Sequence, residues 1–123
     1  MTDSKLIDSS VWLSYFLNGE FRDIIENEST LLLSVLSLFE IKKKLAKDSK
    51  TSGEISKAID FIKKRSIIIP INEEIAEKAA EISLKHNLPA ADSLIYSTSL
   101  LNDSTLYTID NDFRGFDKVS VLD

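Results

Sequence analysis

Apolar and polar residues alternate along the chain in blocks that switch between two periods. Lys5-Leu6-Ile7 is a short apolar strand that ends at Asp8. Val11, Trp12, Tyr15 and Phe16 then recur at helical spacing over 9–17, with Ser9 or Ser10 as the expected N-cap. Gly19 breaks that helix, and a short one is expected over about 20–27. A second strand, "TLLLS" (30–34), runs into a helix over 35–48 carrying Val35, Leu38, Phe39, Ile41 and Leu45. After a loop, "DSKTSG", the residues Ile55, Ala58, Ile59 and Ile62 mark one face of a helix over 54–64. "SIIIPI" (66–71) is β-branched, short and bounded by Pro70, which predicts a buried strand. Asn72 caps the next helix, whose first-turn acids Glu73 and Glu74 suit the positive end of the helix dipole. A loop at "NLP", a helix over 90–101, a strand at 105–109 and a last one at 119–122 complete the pattern.

Strands alternating with helices predict an α/β domain with a mainly parallel sheet, and no linker or repeat divides residues 1–123. Right-handed crossovers put the carboxyl ends of all parallel strands on one side, where open α/β sheets bind their ligands.

Composition narrows the chemistry. The 123 residues include no Cys, which excludes disulfides and thiolate metal sites, and one His, which argues against His/Cys zinc sites, catalytic triads and paired-His ribonuclease chemistry. His86, at "LKHNLP", is expected at a helix end as a capping or solvent-facing residue. The longest apolar runs fall far short of the roughly 20 residues of a membrane span. "MTDSKLIDSS" has neither the basic start nor the apolar stretch of a signal peptide, so the expected setting is the cytoplasm. The net charge of −5 is uneven: residues 40–65 hold nine Lys/Arg against four Asp/Glu, and the rest of the chain is strongly acidic. A basic stretch beside acids is compatible with holding a phosphodiester next to metal ions, and equally with solvated helix faces.

Acids stand at the ends of the expected strands. Asp8 follows the first and Asp110 the fourth; Glu40 rides the helix after the second, Asp92 opens the helix at "LPAAD", and Asp112 lies two residues past Asp110. Clustered carboxylates repel, and one is forced to hold a proton unless a cation sits among them. With no His or Cys, the all-oxygen donors suit Mg²⁺ or Mn²⁺. Two such ions about 3.5–4 Å apart would polarise a phosphodiester and activate water. Each acid also has a local explanation. Asp8 can cap a helix, and Ser37-x-x-Glu40 fits a capping box, although Ser34 is an equally good cap. Asp92 suits a helix start, and Asp110-Asn111-Asp112 suits a turn.

Four blocks resemble a PIN domain, and more narrowly a VapC-type toxin ribonuclease: "LIDSSVWLSYF", "LLLSVLSLFEI", "LPAADSLIYSTSLL" and "LYTIDNDFRGF". The resemblance spans nearly the whole chain. It implies a three-layer α/β/α sandwich with sheet order 3-2-1-4-5. It implies an acidic site of Asp8, Glu40, Asp92 and Asp110, with Asp112 as an additional metal ligand and Ser10 and Thr108 in support. It further implies Mg²⁺ or Mn²⁺ dependence, RNA cleavage, a homodimer and inhibition by a cognate antitoxin. Lys42, Lys43 and Arg114 are candidates to meet RNA. Trp12, Tyr15 and Phe16 suit core packing, or else a stacked base or a partner's helix. The rivals are a PIN-like RNA-binding module without catalysis, a phosphoacceptor receiver domain and a TOPRIM-like domain. A receiver wants an adjacent acidic pair at the first strand, where only Ser flanks Asp8; a TOPRIM-like site wants Glu there.

Overall fold

The computed structural model describes residues 4–123. Five strands form one all-parallel sheet: β1 (Ser4–Ile7), β2 (Leu31–Ser34), β3 (Ser66–Ile69), β4 (Ser104–Thr108) and β5 (Val119–Val121). Their order is β3-β2-β1-β4-β5, as the PIN resemblance implied. A receiver-type sheet runs 2-1-3-4-5, so this topology separates the chain from that rival. The helices are α1 (Ser9–Asn18), α2 (Arg22–Ile25), α3 (Val35–Lys47), α4 (Ser52–Arg65), α5 (Glu73–His86) and α6 (Ala90–Leu101), with a 3-10 turn at Asn111–Phe113.

Side chains of a strand alternate between faces, and here both faces are covered. Ile7, Leu31 and Leu33 pack with Trp12, Ile41 and Ile62 from α1, α3 and α4. Leu6, Leu32 and Leu106 pack on the other side with Ile82 of α5 and Ile95 and Tyr96 of α6. The register Leu31↔Lys5↔Thr105 and Leu32↔Leu6↔Leu106 keeps like faces together. A parallel sheet covered on both faces reads in sequence as continuous apolar runs, which is what "LLLS" shows.

Trp12 is fully buried and stacks on Phe16 at 5.7 Å, with Phe61 edge-on at 6.1 Å. Core packing is thus its role, while Tyr15 and Phe16 are half-buried at the rim of the same cluster.

Several local expectations are corrected. β3 is an edge strand rather than a buried one, and Ile67 is 56% exposed. It stops at Ile69, since the Pro70 ring offers no N–H to extend the ladder. Asp8, not a serine, occupies the N-cap position of α1, without a side-chain capping bond. The hydroxyls of Ser9 and Ser10 go to carboxylates instead. The helix expected over 20–27 is only the single turn of α2, preceded by Phe21 in the left-handed region at φ 60°. α4 begins two residues earlier than its apolar stripe suggests, because Thr51 and Glu54 form a reciprocal capping box. No helix among the described residues is long and apolar enough to cross a membrane.

Candidate metal centre

Parallel pairing brings the carboxyl ends of β1, β2 and β4 to one edge of the sheet, and the acids collect there. Asp8 is the first residue past β1, only 8% exposed, and its backbone N–H continues the β1–β4 ladder to Tyr107 O at 2.9 Å. Its Oδ2 accepts hydrogen bonds from Ser10 Oγ at 2.7 Å and from the buried Thr108 Oγ1 at 2.8 Å. Thr108 Oγ1 in turn accepts from the Asp110 N–H at 3.0 Å, and the Ile109 N–H reaches Ser10 Oγ at 3.3 Å. Ser10 and Thr108 thereby tie the end of β1 to the end of β4. Asp110 Oδ1 accepts from the Asp112 N–H at 2.9 Å. This Asx turn opens the 3-10 turn and folds Asp112 back over Asp110.

One carboxylate oxygen from each of Asp92, Asp110 and Asp112 lies within 4.8 Å of the other two. The tight triad therefore includes Asp112, which the sequence places only as an additional ligand, and leaves Asp8 and Glu40 outside it. Glu40 lies beyond the first turn of α3, since Ser34 is that helix's cap and accepts from the Leu36 N–H at 3.2 Å. The capping-box alternative for Glu40 falls with that assignment. Its Oε1 accepts from Ser9 Oγ at 3.1 Å. Ser9, one residue after Asp8, joins α1 to α3 across the site; its polar position at a helix start had suggested only a cap.

Electrostatics link all five acids. Asp92 lies at the third position of α6, after Pro89, where the helix dipole should favour its charge. Its carboxyl is nevertheless pushed up to about 6, first by burial and then by the charges of Asp110, Asp8, Asp112 and Glu40. Glu40 is raised as well, by burial above all; the Ser9 hydroxyl opposes this shift and the Asp8 charge adds to it. The cluster holds more negative charge than its environment compensates.

The donor set fits a hard divalent cation. It is all oxygen, the donor chemistry that Mg²⁺ and Mn²⁺ take in preference to softer ions. Among the basic candidates, Lys42 and Lys63 line a cavity of about 330 Å³ beside α3 and α4. Lys43 Nζ lies over the Phe39 ring at 5.7 Å. The Arg114 guanidinium is bound to Asn111 Oδ1 through Nε and Nη2, at 3.2 and 2.8 Å.

The PIN domain family model matches residues 5–119, and the chain belongs to the PIN domain family. Solved structures share the fold. A toxin–antitoxin complex from Klebsiella pneumoniae contains a chain 22% identical, with a TM-score of 0.81 over 95% of this chain and 96% of that one. VapBC2 from Rickettsia felis, bound to a promoter DNA fragment, matches at 16% identity and a TM-score of 0.81, covering 98% and 99%. VapC20 from Mycobacterium tuberculosis, a toxin that cleaves the sarcin-ricin loop, matches at 17% identity and a TM-score of 0.73, covering 94% and 98%. No curated protein sequence matches the chain.

Proposed function

We propose that residues 1–123 form one PIN-like domain that hydrolyses RNA phosphodiesters with Mg²⁺ or Mn²⁺, as the toxin of a toxin–antitoxin pair. The observation that carries this reading is the clustering of carboxylates from four separate segments near the strand ends, with Asp92 raised to about 6 by its burial and by the charges of the others. A fold shared with toxin–antitoxin complexes supports a cognate antitoxin as partner, and the reading extends to a homodimer in a cytoplasmic setting.

In this reading Asp92, Asp110 and Asp112 hold the ion, with Asp8 and Glu40 completing the acidic wall. A bound divalent ion would supply charge neutralisation at the phosphate and a more acidic water. The chain's own contribution is positional. Ser10 and Thr108 fix Oδ2 of Asp8. Asp110, anchored through its N–H to Thr108 and through its carboxylate to the Asp112 N–H, is the residue we assign to orient the attacking water. Glu40 is held from α3 by Ser9. Lys42 and Lys43 lie on the exposed side of the same helix and draw the RNA backbone, a contribution that weakens with salt.

The test is cleavage of an end-labelled, mixed-sequence RNA by the purified chain. Cleavage is expected with Mn²⁺ or Mg²⁺, none with EDTA, and a loss of at least 100-fold on Asp92→Asn. A folded chain that binds RNA but leaves it intact with either ion would establish the non-catalytic PIN-like module instead.

A further inference from the structure

On the flank of the molecule next to the 3-10 turn, a cavity of about 290 Å³ is lined by His86, Tyr96, Arg114, Gly115, Phe116 and Asp117. It lies outside the acidic cluster, but besides His86 at the end of α5 it is built from two segments that also carry the clustered acids. α6 carries Asp92 in its first turn and Tyr96 one turn on, and the 3-10 turn carries Asp112 and leads directly into Arg114.

The aromatic groups divide into a floor and a mouth. Tyr96 and Phe113 are buried, packed 6.0 Å apart, and belong to the core. Phe116 stands over them, edge-on to Tyr96 at 5.4 Å and to Phe113 at 5.9 Å, and is only half-buried. The exposed His86 ring meets Phe116 at 4.8 Å with the planes tilted by 52°. The two rings thus meet at the solvent edge of the cavity. Core packing explains Tyr96 and Phe113, but not an exposed imidazole set against a half-exposed Phe. The loop that holds this mouth is fixed: the Tyr96 hydroxyl donates to Asp117 O at 2.7 Å. Gly115 turns it in the left-handed region at φ +90°, where a Cβ would meet nothing, so glycine serves the backbone there rather than the space.

Arg114 adds a cation. Its Nε and Nη2 are spent on Asn111 Oδ1, and Nη2 also reaches Asp123 at 3.4 Å. Nη1 has no partner among the described residues. A half-exposed guanidinium beside stacking surfaces, tethered to the residue between Asp110 and Asp112, matches the two parts of a nucleotide. Unpaired RNA bases stack on aromatic and His planes, and Arg takes phosphate. The exposed Asp117 carboxylate at the rim can accept from base N–H groups.

We infer that this cavity is a nucleotide subsite, in which His86 and Phe116 receive a base of single-stranded RNA and Arg114 its phosphate. The inference rests on the ribonuclease reading for its place on the RNA strand, but binding at the subsite needs neither metal nor cleavage. The sequence alone left His86 as a helix-end residue; its meeting with Phe116, thirty positions on, requires the fold.

The experiment is amide NMR of the full chain in EDTA, titrated separately with AMP, GMP, CMP, UMP, ribose 5-phosphate and inorganic phosphate. At least one nucleoside monophosphate is expected to shift the amides of His86 and of residues 114–117 with saturation in the millimolar range. Ribose 5-phosphate and phosphate should bind at least fivefold more weakly. His86→Ala and Arg114→Gln, both on exposed side chains, should each weaken the nucleotide at least fivefold with an unchanged melting temperature. Absence of shifts at these amides, or equal binding by ribose 5-phosphate, or unaltered affinity in both variants overturns the subsite. An RNA cleavage assay on the same samples separates the two ideas. Nucleotide binding without metal-dependent cleavage upholds the subsite and removes the nuclease; cleavage without nucleotide shifts here does the reverse.

Discussion

Asp92 shows what the fold imposes on a single side chain. Its carboxyl is raised from an ordinary 3.8 to about 6 by burial and by four neighbouring acids. Between those values the unfolded chain has released the proton while the folded one keeps it. Stability therefore falls as pH rises from about 4 to above 6, and below 4 this group costs nothing. Asp92→Asn removes the repulsion, so the metal-free variant should melt higher than the parent at pH 7.5 and level with it at pH 4. Melting curves at the two pH values in EDTA check this, and a variant less stable at pH 7.5 would contradict it. Asp112 marks how far single residues could be read. Its proximity to Asp92 comes from the Asx turn at Asp110, a three-residue fold-back that the sequence "DND" allows but does not require. Ser9 was hidden for a similar reason. A serine at a helix start reads as a cap, and its bond to Glu40, thirty-one positions away, exists only once α1 and α3 pack together.

At the level of elements, helices were more legible than their ends. The apolar stripe at Ile55, Ala58, Ile59 and Ile62 located α4, but Gly53 obscured the capping box that starts the helix at Ser52. Thr51 Oγ1 accepts from the Glu54 N–H at 3.1 Å, while the Glu54 carboxylate accepts from the Thr51 N–H at 2.9 Å. Thr51→Ala should cost about 1 kcal/mol, or a fall in melting temperature of about 3–5 °C for a domain of this size. Activity per folded molecule should stay unchanged, because neither Thr51 nor Glu54 belongs to the acidic cluster. A calorimetric scan with an unchanged melting temperature would mean that packing of Ala58 and Ile62 alone sets this helix. β3 misled for a different physical reason. Three consecutive isoleucines look the same whether both flanks of a strand are paired or only one, and sheet order, not composition, decides which.

For the whole molecule, parallel pairing follows from strands alternating with helices, whereas the order 3-2-1-4-5 came from resemblance and not from periodicity. That order matters because it places β1 between β2 and β4. The acids after those three strands then converge from positions as distant as 8 and 110. Such a cluster makes the folded chain a binding partner for a divalent ion in a way that the unfolded chain, with its acids dispersed, cannot match. Ligand that binds only the folded state stabilises it by mass action, by about 2.7 kcal/mol at a hundredfold excess over Kd. Mn²⁺ or Mg²⁺ at millimolar levels should therefore raise the melting temperature by several degrees at pH 7.5, and less at pH 5, where the proton on Asp92 competes with the ion. Asp110→Asn combined with Asp112→Asn should abolish most of the rise. An equal rise in that double variant would show that the ion sits elsewhere, because two of the three oxygens within 4.8 Å of one another would have lost their charge.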